Sequence, residues 1–566
     1  MKPLHFIQSK IRSAPLGMML CLFSFLFGLF FEFTACLASV VLLIWLLWRI
    51  FRQKKICFSI NISFCFLCVT VLFYLFSVFW AADRGMAVFG FFKFLPVLLF
   101  ALVFLQYGKE EREGCMECIP WSGAIMTVLS GLFSFVPVLR PYFTVSDRLA
   151  GFFQYPNTFA LFLLLGLIVL ATRTQYSWCH LILAIFLLFG IFASGSRTVF
   201  VLTIFSALCV ALFGRNRVVR KTVLLLLPAG IVLSLLAVWL TGNVQTVGRY
   251  LTTSLSSSTF LGRLLYFQDA LPVILQNPFG LGYEGYYYAQ SAFQTGVYTV
   301  KYIHNDFLQL LLDVGWIPTG LFLGAVAYSF FKKGASLRRR LLLLAICAHC
   351  LFDFSLQYAV IFMILAAVLD YGALWEASLQ GLSRSVLPIA GGVMLFASFY
   401  FGLASFLAYL GNHTDAVSLY PAYTDSYLSL LEEETDIDQA HDYAEKILSL
   451  NGNIAPVYDI QALYAYSQGD FSAVIANKET SLALAPYNLN SYTEYIDMLA
   501  AGIQGYAQNG DFESAQYCRE TLKAIPGKLK AVQAKTSPLA WKIQDTPQLE
   551  LPAEYQERLA ALVGES

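Results

Sequence analysis

The sequence predicts an all-α fold: a polytopic helical membrane protein of about 12–13 spans, followed by a soluble α-helical repeat domain. Three observations carry that reading. The chain has 566 residues, of which 58% are hydrophobic and only 13% charged, against roughly a quarter charged in a soluble domain. Its apolar residues fall into repeated runs long enough to cross a bilayer, and mean hydropathy is +0.64. The last 156 residues abandon that pattern for acidic, amphipathic helices. The composition excludes a disordered chain, an ordinary cytosolic enzyme and a disulfide-stapled miniprotein. A β-barrel would not give long unbroken apolar runs.

A membrane-crossing helix needs about 20 mostly apolar residues. Spans are expected near 15–32, 34–51, 57–80, 86–107, 117–138, 155–172, 178–194, 198–214, 222–241, 304–331, 341–354, 357–375 and 386–410. The first follows Lys2, Lys10 and Arg12, as a signal peptide would. It lacks a small-residue cleavage site and runs into further spans, so it reads as a retained anchor.

Basic side chains mark the cytoplasmic turns. Lys2, Lys10 and Arg12 precede the first span, and Arg52, Lys54 and Lys55 follow the second. Arg215, Arg217, Arg220 and Lys221 follow the eighth, and Lys332, Lys333, Arg338, Arg339 and Arg340 follow the tenth. All fall on one side, which places the N-terminus in the cytoplasm. The loops 81–85, 139–154, 195–197, 242–303 and 353–357 then face outward. A thirteenth span carries the tail outside the cytoplasmic membrane. The net charge of +1 hides this division. Residues 411–566 hold 22 acidic and 9 basic side chains, so the first 410 carry +14 against −13 in the tail.

The expected domains are therefore 1–410, a membrane body with a large external loop at 242–303, and 411–566, an external repeat domain. The loop is rich in Tyr, Gly, Ser and Thr, and residues 262–276 suggest a helix half-buried along the membrane surface. Its tyrosines (Tyr283, Tyr286, Tyr287, Tyr288, Tyr298, Tyr302) suit either sugar stacking or an interfacial aromatic belt. In the tail, Gly469-Asp470-Phe471 recurs as Gly510-Asp511-Phe512. Leu484 echoes Leu450 at 34 residues, and Ala524-Ile525-Pro526 reads as a third helix end. This is the tetratricopeptide grammar, with about two extra helical turns near Met498–Gly505. Such units serve as scaffolds or expose a groove for a product or partner. Cys115 and Cys118 have metal or redox spacing but no second ligand pair, and read as structural.

Charges at the membrane edge are functional candidates. Arg148, Arg197, Arg263, His304 and Asp353 all fall on the outer side. Arginine offers a planar fork for phosphate oxygens. A histidine titrating near neutral pH can take a proton from a hydroxyl. Asn305 or Asp306 can cap the helix that follows, which frees His304. No Asp-x-Asp or Asp-Asp pair stands on an outer loop, so no metal is expected. Arginine supplies the charge that magnesium would otherwise bring.

These segments together resemble the O-antigen ligase and O-antigen polymerase family of membrane glycosyltransferases. The matching runs are Arg148-Leu149-Ala150-Gly151 with Pro156-Asn157, then Ser194-Gly195-Ser196-Arg197. Gly262-Arg263 follows, with Asn277-Pro278-Phe279-Gly280-Leu281-Gly282-Tyr283, then His304-Asn305-Asp306-Phe307-Leu308 with Gly315, and last Asp353-Phe354. They stand in family order over roughly 140–360. The resemblance implies transfer of a glycan from an undecaprenyl-diphosphate carrier to a glycan, lipid or protein hydroxyl, inverting the anomeric centre without metal or other cofactor. It implies a diphosphate held by Arg197 and Arg263 and an acceptor activated by His304. It assigns substrate-binding roles to Arg148, Asn157, Tyr266, Gly282, Tyr283, Asn305 and Asp353. The expected partners are the carrier-linked donor, the acceptor, the bilayer and a protein that the tail recruits, with no nucleic acid. The repeat tail departs from the simplest family pattern and suits a polymerase or a protein O-oligosaccharyltransferase better than a lipid-A core ligase. The competing readings are a transporter or flippase of a phosphorylated lipid-linked glycan, and a non-catalytic scaffold. The thirteen spans show no internal repeat of the transporter kind.

Overall fold

The computed structural model describes residues 15–564, apart from 174–176, 215, 217–218, 222–227, 229–231, 233–257 and 382. The ninth expected span, 222–241, and the start of the external loop, 242–257, lie outside the described residues. The rest is an all-α bundle. Five helices are long and apolar enough to cross a membrane: Glu32–Gln53, Ile62–Phe79, Arg84–Leu105, Lys109–Phe133 and Arg384–Tyr409. Six shorter apolar helices accompany them: Pro15–Phe25, Pro156–Ala171, Trp178–Ala193, Arg197–Phe213, Trp316–Phe331 and Ala359–Val368. The helix Arg84–Leu105 is the axis of the bundle, with 83% of its apolar window buried, whereas Arg384–Tyr409 lies at the rim with 11% buried.

One end of the bundle is tied by the basic turns. Lys332 and Arg339 both pair with Asp370 at 2.5 Å, and Arg338 reaches Glu117 at 3.2 Å. There Lys55–Phe58 pairs antiparallel with Trp375–Ser378, one of two short ribbons among the described residues. This ribbon shortens two expected spans. The third begins at Ile62 rather than 57, and the twelfth ends at Val368 rather than 375.

The opposite end gathers the turns expected to face outward. Its main departure from expectation concerns the tenth span. Residues 304–331 are not one helix but two, Asp306–Val314 and Trp316–Phe331, broken at Gly315 with φ +78°. The reason lies in the Asn277–Gly282 turn, which docks against the break. Leu281 N–H donates to Leu312 O at 2.5 Å, Gly282 N–H to Asp313 O at 3.0 Å, and Trp316 N–H to Pro278 O at 3.0 Å. The turn thus satisfies carbonyls that a helix end leaves unpaired. Backbone approaches backbone so closely that a Cβ on Gly280 would stand 2.5 Å from Asp313 O. Gly280 also has φ +81°, a conformation costly for any side chain.

The external loop is more ordered than its composition suggests. Ser258–Gln276 is a helix over the stretch expected to form one, and Gly285–Phe293 is a second helix. Its tyrosines are packing groups rather than a sugar platform or a belt. Tyr283, Tyr286, Tyr288, Tyr298 and Tyr302 are all buried, and Tyr287 is half-buried.

In the tail, consecutive helices pack on one another: Ile437–Leu450, Ala455–Ser467, Phe471–Leu484, Leu489–Gln508 and Phe512–Lys535. Both Gly-Asp-Phe turns have one geometry. Gly469 and Gly510 take φ +73° and +76°. Asp470 and Asp511 then cap the next helices by accepting from Ala473 N–H and Ser514 N–H, the usual N-cap arrangement. Leu450 and Leu484 both end helices. The third echo does not: Pro526 lies inside Phe512–Lys535. The extra length is in Leu489–Gln508, which has 20 residues against 13 in Ala455–Ser467.

The tail also rests on the body. Asn451 Nδ2 donates to Asp83 Oδ2 at 3.0 Å, and Tyr420 Oη donates to Gly85 O at 3.0 Å. A single apolar core runs from the bundle to Ile447 and Val457.

The glycine junction gives the first prediction. Gly280→Ala should destabilise the folded protein by at least about 1–2 kcal/mol from the backbone conformation alone. Thermal melts in detergent measure this. A melting temperature equal to wild type would mean that the turn does not press on the helix break.

Candidate active site at the mouth of the bundle

The end of the bundle opposite the basic turns brings together residues from five separate stretches of chain. Asp353 is at the centre, in the turn after the helix Leu337–Cys350, and only 3% exposed. A buried carboxylate must be compensated by hydrogen bonds or opposite charge. Tyr155 Oη donates to Asp353 Oδ1 at 2.9 Å, Asn157 Nδ2 to Oδ2 at 2.7 Å, and Phe354 N–H to Oδ1 at 3.0 Å. Pro156 starts the helix that carries Asn157. Its fixed φ suits a first helical position, and it sets the two donors of Tyr155 and Asn157 on the same carboxylate.

Arg148 extends the network. It stands on a two-residue ribbon paired with Thr144–Val145. Its Nη2 donates to Asn157 Oδ1 at 2.6 Å and its Nε to Ser194 O at 2.7 Å. Arg148 therefore fastens the Asn157 amide to the turn that precedes Arg197. Its contacts fit a fastening role and not a free side chain at the lipid headgroups.

His304 enters from the other side. Its Nδ1 is 3.7 Å from Asp353 Oδ1, and its ring meets Phe354 edge-on at 5.0 Å. That separation is too long for a hydrogen bond, and Nδ1 has no hydrogen-bond partner among the described residues. His304 takes φ +55°, uncommon outside glycine and tolerated by His more than by bulky residues. The backbone around it explains how that is held. Ile303 N–H donates to Gln309 Oε1 at 3.0 Å. Asn305 caps the next helix, accepting from Phe307 and Leu308 N–H, and donates to Leu351 O at 3.1 Å. Asp306 accepts from Leu356 N–H at 3.0 Å. Asn305 and Asp306 Oδ2 are thus occupied, and the imidazole is left over.

Arg197 and Arg263 complete the mouth. Arg197 is the first residue of Arg197–Phe213, just after Gly195 with φ +61°. Arg263 lies on Ser258–Gln276, and its charge is felt at Asp353 and Tyr155. Both guanidiniums bury Nε without a hydrogen-bond partner among the described residues. Burial works against ionisation of Asp353, but the His304 imidazole, His349 and Arg263 outweigh it and hold its carboxyl well below the usual carboxylate range.

Three expected site residues stand elsewhere. Tyr283 is fully buried and donates to Glu32 Oε1 at 2.5 Å. Gly282, at φ +80°, closes against Ala81. Both belong to the turn that breaks the tenth span. Tyr266 packs on Tyr298 with ring centroids 4.5 Å apart. Tyr155, by contrast, belongs to the Asp353 network although the motif reading named only its neighbours. The signal was present, since a hydroxyl-bearing Tyr directly precedes Pro156-Asn157. Lys93 was also missed. It is fully buried in Arg84–Leu105, 3.8 Å from Glu32, and a lysine inside an apolar run marks itself.

The depressed carboxyl fixes a pH dependence. Asp353 in the unfolded chain titrates near about 3.9. Its charged form stabilises the fold in full above that pH, and the contribution is lost as pH falls through the lower folded value. Asp353→Asn should therefore melt below wild type at pH 7, and the gap should narrow as pH is lowered from 5 to 3. Melts at both ends of that range check it, and a gap that does not change would count against an ionised Asp353.

Against this geometry, the family model described as O-antigen ligase matches residues 182–324. The match takes in Arg197, Arg263 and His304, and stops short of Arg148, Asn157 and Asp353 on either side. No curated protein matches the chain. Residues 182–324 of this multi-pass, all-α protein are thus similar to the O-antigen ligase domain.

Proposed function

We propose that the protein transfers a glycan from an undecaprenyl-diphosphate carrier to an acceptor hydroxyl at the outer face of the cytoplasmic membrane. The match to the O-antigen ligase domain supports a membrane glycosyltransferase role in polysaccharide assembly; the carrier, the chemistry and the sidedness are our reading. The observation that carries it is the pairing of His304 with buried Asp353 at 3.7 Å, beside two arginines whose buried Nε groups have no partner among the described residues.

In this reading Asp353 orients the imidazole so that Nδ1 faces the carboxylate and Nε2 faces the acceptor, the logic of a base held by a third group. The 3.7 Å separation is consistent with catalytic contacts that tighten only once substrate is bound. His304 takes the proton of the acceptor hydroxyl as its oxygen attacks the anomeric carbon. The bond from that carbon to the diphosphate oxygen breaks, and its electron pair leaves with the carrier. Arg197 and Arg263 neutralise the charge that develops there, so the protein supplies the leaving-group stabilisation itself. Attack opposite the departing diphosphate inverts the anomeric centre. Arg148 and Asn157 act through Asp353 rather than on substrate.

The basic turns tied to Asp370 and Glu117 support a cytoplasmic position for that end, which puts the mouth and the tail outside. We assign 1–410 to the transferase body and 411–566 to a tetratricopeptide-like domain.

Arg197→Ala, Arg263→Ala and His304→Ala should each abolish polymeric or ligated surface glycan while the protein stays in the membrane. Mass analysis of surface glycan in a deletion strain complemented with each variant measures this. Near-normal glycan in all three would defeat the proposal.

A further inference from the structure

The last described helix, Ala553–Gly564, packs on the tail helices Leu489–Gln508 and Phe512–Lys535, but the stretch before it does not. After Phe512–Lys535 the chain returns to the external loop. Ser537 N–H donates to Thr295 O at 2.8 Å, and Gln544 N–H donates to Ser258 Oγ at 2.7 Å. Between these two bonds, Ala540 and Ile543 close an apolar cluster with Leu265 and Tyr298, edged by Leu261, Tyr266 and Leu539. Leu265 and Ala540 are both fully buried. The fit is tight: a Cβ on Gly296 would stand 2.6 Å from Ala540 Cβ and 2.9 Å from Leu265 Cδ2. Leu261 and Leu265 flank Arg263 on the helix Ser258–Gln276. The arm 537–545 is thus a packing partner of the helix that presents Arg263.

The start of the tail touches the same loop a second time. Asp425 accepts from Tyr288 Oη and lies 3.9 Å from Lys301 Nζ. Lys301 in turn pairs at 2.6 Å with Glu284, a carboxylate with no exposed surface. Lys301 is three residues before His304. An exposed ion pair alone contributes little, but here the lysine also neutralises a buried carboxylate, whose loss of a partner is costly.

We propose that the tail is a positioning element of the catalytic site. Its arm 537–545 sets the helix of Arg263, and Asp425 sets the segment leading into His304. The proposal rests on the roles given above to Arg263 and His304, and it makes the tail part of the catalytic architecture rather than an accessory. Two anchors, joined by packed helices, thus tie the diphosphate holder and the base to one element. A displacement of about 1 Å in such a constellation can cost roughly 100-fold in rate.

The test uses the full chain in proteoliposomes, with the undecaprenyl-diphosphate glycan extracted from the host as donor. Gly296→Val should push the arm off and raise the donor KM between about 10- and 100-fold. Gly296→Ala should do so less, and the pair Gly296→Ala with Ala540→Gly should restore it. Asp425→Asn should lower kcat and leave the donor KM unchanged, because it acts on the side of the base. Trypsin cleavage at Arg263 should quicken in Gly296→Val and return to wild-type rate in the rescued pair. Unchanged kinetics in both single variants would overturn the proposal, as would losses that only track the amount of folded protein. Should wild type transfer no glycan, the reading of function fails, and the trypsin rates still decide whether the arm holds the helix.

Discussion

The mouth of this protein's bundle is organised by one expensive group, the carboxylate of Asp353. It is buried at the mouth of an apolar bundle, where an uncompensated charge is untenable. Its compensation recruits distant chain. Tyr155 and Asn157 come from the start of one helix, Arg148 reaches it through Asn157, and His304 comes from the rim of another. Each donor is fixed by a local device: Pro156 at a helix start, the ribbon under Arg148, and the Asn305 cap beside His304. The same carboxylate that holds the bundle mouth together thereby holds an imidazole in place.

The second constraint is backbone contact at glycine. The Asn277–Gly282 turn enters the break at Gly315 because no side chain stands between them. That break lets a short helix, Asp306–Val314, start at the mouth with His304 just before it. It also ties the external loop to the bundle. Residues 258–303 of the loop therefore form a folded wall of the site, and their buried tyrosines are the core of that wall.

Much of this was legible in the sequence. Apolar run length marked most helices, since burial in lipid or protein makes the same demand on composition. The basic turns at 52–55 and 332–340 gathered at one end as their charge predicted. Arg148, Asn157, His304 and Asp353 converge as the ordered motifs implied, and Asn305 caps as its side chain allows. Other features were hidden for physical reasons. Apolar composition runs unbroken through Gly315, so the helix break is invisible until its docking turn is seen. Tyr283 and Tyr286 bear a polar tip on an apolar ring and read as surface groups, whereas the fold buries both. The ribbon between Lys55–Phe58 and Trp375–Ser378, and the return of 537–545 to Gly296, join residues hundreds of positions apart with no local pattern to announce them. In the tail, Pro526 echoes a helix end in type, yet the helix continues through it to Lys535.

The central claim is that this mouth breaks the bond between a glycan and a carrier diphosphate. The most direct measurement is a single turnover of the purified protein in liposomes. It would hold the carrier-linked glycan and a hydroxyl acceptor, with release of free undecaprenyl diphosphate followed by mass. The account predicts stoichiometric release of the diphosphate with appearance of the lengthened or ligated acceptor, undiminished by a metal chelator. Intact donor recovered after prolonged incubation, or donor moved across the bilayer without cleavage, would contradict it.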